Sequence, residues 1–463
     1  MRSIPGLRNL VLAAAAAVIT SAGAVLVLLQ PPDTTRKITG TADSAPGLAW
    51  SVDAAAMSGR AGAEFRDPVA GTEYDFGGGP GFVDAGATLV TVLGVSDDNM
   101  PLRDPVLVGI DAETGAQRWQ AAAPDLSGCG AAPVAGRLVC FDADSALVGY
   151  DIDTGNITRT QTDWYIFAIA TDADRVYIAE GDVESDDVRV HAGTVDDPDA
   201  HWSRAFDMGA SWEDLPGDAL DVSHGQGVFS LGGDLAGFDL ASGRATWSAD
   251  VVGCSDATPT NGGLIERTRS ECDGNGLTGT DLIDNTGRII ATTNSAAAHN
   301  ILIDLPADET IPVLLGDSAY DRRTGTLMWT NPELLATQEA DEHNVASVIG
   351  TATAIIGDVA LLRDTAAHTA TGLDMRTGER LWRIEATRFE TVHGGDEHAA
   401  VFSDYTGLWA IDPRTGATIW DIPFLAVNDK PDAITGDGEL AFQGNGRYTY
   451  ASARTMIGLR PLD

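Results

Sequence analysis

Lysine is almost absent from this chain: Lys37 and Lys430 are its only two in 463 residues. Basic residues number 29 against 68 acidic ones, a formal charge of −39. A field of that sign repels phosphate backbones and anionic lipid headgroups. With no basic stripe to oppose it, nucleic acid is excluded as a partner. Cysteine is scarce too, limited to Cys129, Cys140, Cys254 and Cys272. Their spacing matches no Cys-x-x-Cys metal site and no Cys-x-x-Cys-His haem attachment. There is no Gly-x-Ser-x-Gly elbow for a nucleophilic serine and no Walker lysine for a nucleotide phosphate.

What the chain does have is a repeat. Asp-x-x-Thr-Gly-x-x-x-Trp occurs at Asp111–Trp119, Asp321–Trp329, Asp374–Trp382 and Asp412–Trp420, and with Ser242 in the threonine place at Asp239–Trp247. Each copy follows a short apolar strand such as Val106–Ile110 or Leu408–Ile411. The aspartate ends that strand, where its carboxylate can accept backbone N–H groups of the coming turn. Gly115, Gly243, Gly325, Gly378 and Gly416 supply the positive φ that a tight hairpin needs. Trp119, Trp247, Trp329, Trp382 and Trp420 fall a few residues into the return strand, where a large half-polar ring can pack on the next unit. Degenerate copies stand at Asp151–Gly155, with Arg159 in the tryptophan place, at Asp284–Gly287, and at Val188–Trp202.

A period of roughly 40–45 residues with these features predicts an all-β fold, a single β-propeller of four-stranded blades. Eight blades is the expectation, with seven and nine left open. The C-terminal Met456–Leu459 reads as an inner strand without a return partner, and Gly47–Trp50 as a return strand without a leader. Pairing them would close the ring and remove an exposed sheet edge.

The repeat resembles the pyrroloquinoline-quinone (PQQ) type propeller repeat over roughly residues 45–463. That repeat is shared by quinoprotein alcohol dehydrogenases and by the propeller lipoprotein of the outer-membrane assembly machinery. The dehydrogenase resemblance implies PQQ, a calcium ion held by Glu and Asn, a catalytic Asp and an adjacent cysteine pair. This chain has no adjacent cysteines, and the calcium set falls on none of its motifs, so no catalytic or cofactor-binding residue carries over. The assembly-lipoprotein resemblance implies a non-catalytic scaffold whose partners are envelope proteins, a small ligand being the other partner class.

The N-terminus supplies an address. Leu10–Leu29 is an apolar run of bilayer-spanning length behind Arg2 and Arg8. Residues 1–30 are expected to form an uncleaved signal anchor, 31–45 a flexible tether, and 46–463 the propeller on the extracytoplasmic side of the cell membrane. Ala22-Gly23-Ala24 offers a competing cleavage site, which would make the domain secreted. No cysteine lies nearby, so a lipoprotein anchor is excluded. In an oxidising compartment the cysteines are expected as structural disulfides. Cys129–Cys140 with Cys254–Cys272 is the simplest of the three pairings.

Remaining candidates are weaker. His393-Gly-Gly-Asp396-Glu-His398 packs metal-ligand types together but reads as a polar surface turn. Asp182–Asp187 opens like a calcium loop yet lacks the glycine and closing glutamate. Trp164, Trp202, Trp212 and Trp409 are off phase or in degenerate copies; any of them could line a binding face, and none is singled out. No metal site is assigned. The reading is a membrane-tethered binding or scaffold module, with a PQQ-dependent dehydrogenase or quinone sensor as the alternative.

Overall fold

The Asp-Thr-Gly hairpins are built from their own side chains. Asp111 Oδ1 accepts from the backbone N–H of Thr114 at 2.9 Å and from its hydroxyl at 2.8 Å. The Gly115 N–H donates to the Asp111 carbonyl at 2.8 Å, with φ at +70°. The same turn recurs at Asp151, Asp239, Asp321, Asp374 and Asp412, where the N–H three residues on donates to the carboxylate. Arg118 and then Thr114 hold the Asp111 carboxyl down at about 2.

A computed structural model describes the chain from residue 39 to residue 461. It leaves out 41–44, 73–77, 97–101, 183–184, 186, 209–218, 232–233, 251–255, 261–262, 272–275, 294–297, 339–346, 387, 389–390, 396–397 and 445. The hairpins join antiparallel strands into nine blades: 63–122, 126–161, 165–206, 220–250, 256–293, 303–330, 352–385, 391–423, and 439–461 completed by Pro46–Asp53. Outside the sixth blade, the first strand of a blade lies innermost against the first strands of its neighbours, and the strand after the Asp-Thr-Gly turn lies at the opposite edge.

The ring closes as the two chain ends suggested. Pro46–Asp53 pairs antiparallel with Thr455–Pro461, setting Trp50 opposite Gly458. Thr39–Gly40, inside the expected tether, adds a short edge strand to Thr418–Pro423.

The expected count of eight is corrected to nine. The weak unit around Asp284 is a complete four-stranded blade of Asp256–Pro259, Ile265–Glu271, Gly276–Ile283 and Ile289–Thr293. A blade is held by backbone pairing, which requires neither the tryptophan nor the full turn that this unit has lost. Outside the blades, Leu335–Gln338 pairs with Ser347–Gly350 as a separate hairpin. In the sixth blade Val313–Leu315, Ser318–Tyr320 and Leu327–Thr330 form three antiparallel strands. Ile303–Pro306 instead lies parallel to Ala352–Gly357 of the seventh blade.

Tryptophan joins the blades. The Trp119 ring packs on Gly155 of the next hairpin, and its Nε1 donates to the Ile152 carbonyl at 2.8 Å. Trp50 does the same to Ala112, Trp329 to Met375 and Trp382 to Pro413. Trp202 is not off phase: it donates to the Leu240 carbonyl at 3.0 Å and lies against Gly243. The rings of Trp119, Trp247, Trp382 and Trp50 also cover their own blades, where a Cβ added at Gly109, Gly237, Gly372 or Gly458 would strike them. Trp420 meets the one blade whose last two strands are not joined by a hairpin, and contacts Tyr448 with ring centres 5.6 Å apart.

Cys129 and Cys140 face each other on neighbouring strands of the second blade and form a disulfide. Cys254, Cys272 and the apolar run Leu10–Leu29 lie outside the described residues. Among the described residues no helix is long and apolar enough to cross a membrane.

Candidate functional site

A cluster of titratable groups sits where the inner strands of the fourth to seventh blades meet. In the fifth blade Asp256 pairs with Thr268 and Thr258 with Glu266. Directly opposed residues share a sheet face, as do residues two apart, so all four side chains lie on one face. That face borders a cavity of about 510 Å³. Asp304 and Ile301 border it from the sixth blade's first segment, with His299, Val313, Arg322 and Ile355.

Arg322 Nη2 stands 3.6 Å from Asp304 Oδ1, and its Nε donates to the Ile311 carbonyl at 2.7 Å. His299 donates through Nε2 to the Gly316 carbonyl at 2.8 Å, and its Nδ1 accepts from the Ala352 N–H at 3.3 Å. Both ring nitrogens are used by the neutral tautomer. Burial pushes this imidazole down to about 4 against the pull of the Gly316 carbonyl. Glu266 differs from both. Protein encloses its carboxyl on nearly all sides, while part of the residue stays open to the cavity. Burial, then the charge of Asp304, push it up to about 7. A carboxyl with that midpoint can hold or release a proton near neutrality, or serve as counter-ion to a cation.

Two other groups of charged side chains are held by ion pairs. In the third blade, buried Glu180 pairs with Arg189 and lies 3.2 Å from His191, whose Nδ1 is 2.9 Å from Asp199. Burial opposes charging His191, but the two carboxylates outweigh it and raise its pKa. Arg189 lies 4.1 Å above the Trp164 ring. In the eighth blade, Arg388 bridges Asp404 and Asp421 and stacks on Trp409 at 4.5 Å. Beside it a cleft of about 450 Å³ is lined by Phe424, Leu425 and Ile434.

The sequence-level candidates separate clearly. The repeat aspartates, glycines and tryptophans are in the hairpins and blade contacts, away from the cavity. His393 is not in a surface turn: it lies in the strand Thr391–Gly395, 2.6 Å from the Ser403 hydroxyl, and burial pushes it down to about 4. Asp396 and Glu397 lie outside the described residues, as do residues 183, 184 and 186; in what is described of that loop, the Ser185 hydroxyl donates to Asp182 at 2.9 Å and to Asp187 at 2.8 Å. Among the described residues no group of three or more His, Cys, Asp or Glu is arranged to hold a metal. Sequence reasoning missed Glu266, Asp304 and Arg322. One signal was present for Arg322. The residue after the repeat aspartate is apolar at Ala112, Ile152, Leu240, Met375 and Pro413, and only at Arg322 is that place charged among these copies.

These features define a closed propeller of PQQ-like repeats with a carboxyl-bearing inner cavity. A family model described as outer membrane protein assembly factor BamB matches residues 41–261, 202–422 and 316–460, and the chain belongs to that family. Curated proteins give no match. Among solved structures, BamB from Moraxella catarrhalis is 13% identical at a TM-score of 0.41, covering 82% of this chain and 93% of its own. A europium-containing methanol dehydrogenase is 12% identical at 0.41, covering 88% and 85%. Quinohemoprotein alcohol dehydrogenase from Comamonas testosteroni is 11% identical at 0.42, covering 90% and 76%. Likenesses of this size transfer neither a substrate nor a role.

Proposed function

We infer that the chain is a non-catalytic binding or scaffold module of the cell envelope, tethered by its N-terminal segment with the propeller on the extracytoplasmic side. The observation that carries this reading is the assembly-factor family match running around the whole ring, from residue 41 to residue 460. A rigid ring closed by its own first strand offers a broad, preformed surface for partners. The cleft between the eighth and ninth blades suits a contact surface. Tyr405 stands 80% exposed at its border, beside Phe424, Leu425 and Ile434. Exposed tyrosine over an apolar floor is the composition of interface hot spots.

The quinone alternative meets a charge mismatch. PQQ is a tricarboxylate, whereas the inner cavity sets Asp256, Glu266 and Asp304 against a single guanidinium, Arg322. These residues do not fit that group, and no step is derived through it.

The scaffold reading is tested with the full chain in native membranes, carrying a photo-crosslinking residue at position 405. One envelope protein recovered reproducibly and only after illumination is the expected result. Saturable binding of PQQ with Ca²⁺ at one site per chain, with no crosslinked partner, would overturn it.

A further inference from the structure

We propose that the inner cavity bounded by Asp256, Glu266 and Asp304 binds a small aliphatic ammonium ion, with the Glu266 carboxylate as its counter-ion. Amine binding at this cavity does not depend on the scaffold role, and either can fail without the other.

Three carboxyls and one guanidinium border this cavity. Arg322 is committed to Asp304 and to the Ile311 carbonyl. His299 spends both nitrogens on backbone groups and stays neutral. Asp256 accepts from the Ala257 N–H at 2.8 Å. Among the described residues Glu266 alone of the three carboxyls has no hydrogen-bond or ion-pair partner, and it stands half-buried on the cavity wall. A carboxyl partly withdrawn from water and left without a partner carries a desolvation cost that a bound cation would offset.

The surroundings select the kind of cation. Thr258 lies directly opposite Glu266 on the same face, and Thr268 two residues further along it. With Asn300 they give an ammonium group neutral oxygen acceptors beside the carboxylate. Ile301, Val313 and Ile355 supply an apolar wall for an alkyl stem. A divalent metal would need a tighter set of carboxylates or imidazoles, and none is arranged so among the described residues. A volume of about 510 Å³ admits a diamine or a short monoamine with room for water.

Binding should follow the ionisation of Glu266. The other charged and titratable groups facing the cavity are Asp256, Asp304, Arg322, His299 and His224. With Glu266 at about 7, affinity should be about tenfold tighter at pH 8 than at pH 6. Any pH dependence that survives in Glu266→Gln belongs to these other groups.

The experiment is calorimetric titration of the full chain in detergent with n-butylamine, with putrescine and with Ca²⁺, at pH 6 and pH 8. Saturable amine binding at one site per chain is expected, tighter at pH 8 and at least tenfold weaker in Glu266→Gln. Circular dichroism checks that this variant folds. Should it not, Thr258→Val removes one acceptor and is expected to weaken binding several-fold. Absence of amine binding to folded protein at millimolar concentration overturns the proposal. So does unchanged affinity in the folded variants, or amine displaced stoichiometrically by Ca²⁺.

Discussion

A tryptophan that reaches from one blade into the next hairpin does two jobs at once. Its ring covers glycine on both sides, and its N–H satisfies a carbonyl that the hairpin leaves over. Trp382 does both, donating to Pro413 at 2.6 Å. Trp247 covers Gly237 of its own blade only, its ring not reaching Gly287 of the next hairpin. The next hairpin is shortened at Asp284–Gly287, and the buried Trp247 Nε1 finds no acceptor among the described residues. The two residues can therefore be set against each other. Trp382→Phe should cost about 1–2 kcal/mol, the hydrogen bond together with the stranded Pro413 carbonyl. Trp247→Phe should be near neutral, because it removes a donor that was already unsatisfied. Urea unfolding midpoints of the two variants decide the matter, and equal losses would show that ring packing alone holds the blades. The glycines facing the rings were legible as turn residues at Gly115 or Gly416. The second set, Gly109, Gly237 and Gly372, lies two residues before each repeat aspartate, and its purpose emerges only when the rings are seen to lie on it.

At the scale of the element, the strand Pro46–Asp53 decides whether the ring exists. It alone covers the outer edge of Thr455–Pro461, and it brings Trp50 over Gly458 and Gly115. Removing residues 1–53 would bare that edge and open one blade contact, which invites edge-to-edge association. The truncated protein is expected to unfold over a broadened range and to associate on size-exclusion chromatography. Removal of residues 1–38 should leave both properties unchanged, since every described strand remains. A monomeric, cooperatively unfolding 54–463 fragment would refute this. The closing pair could be read from two unpartnered segments at the chain ends. The parallel placement of Ile303–Pro306 on the next blade could not, because a short apolar segment carries no mark of which neighbour it will join.

Across the whole molecule, buried carboxyls and histidines pull stability in opposite directions with pH. Burial pushes Glu266 and Glu439 up to about 7. A carboxyl raised in the folded state binds its proton more tightly folded than unfolded. Its penalty is absent below about pH 4.5, grows as pH rises, and is complete above about 7, on the order of 3 kcal/mol per group. His299 and His393 are pushed down to about 4, so each is fully favourable above pH 6.5 and loses that advantage as pH falls through 4. The opposing slopes overlap between about pH 4.5 and 6.5 and largely cancel there. Glu439 also accepts the Phe82 N–H at 2.8 Å, a bond that glutamine can keep. Glu439→Gln should therefore be more stable than the parent at pH 8, by about 1–3 kcal/mol, and should lose that gain by pH 5. Thermal melts across the pH range read the difference, and a gain independent of pH would refute it.

The sequence by itself determined the repeat unit, the hairpin chemistry and the closure, because each rests on local contacts: a carboxylate with the next three residues, a glycine with positive φ, two strands that need partners. The disulfide Cys129–Cys140 belongs with these, as its residues are near in sequence. Tertiary structure decided the blade count, since backbone pairing tolerates a unit with a shortened turn and no tryptophan. It also decided the cavity. Glu266, Asp304 and Arg322 come from three separate segments, and their charges perturb one another only once the ring has brought the inner strands together.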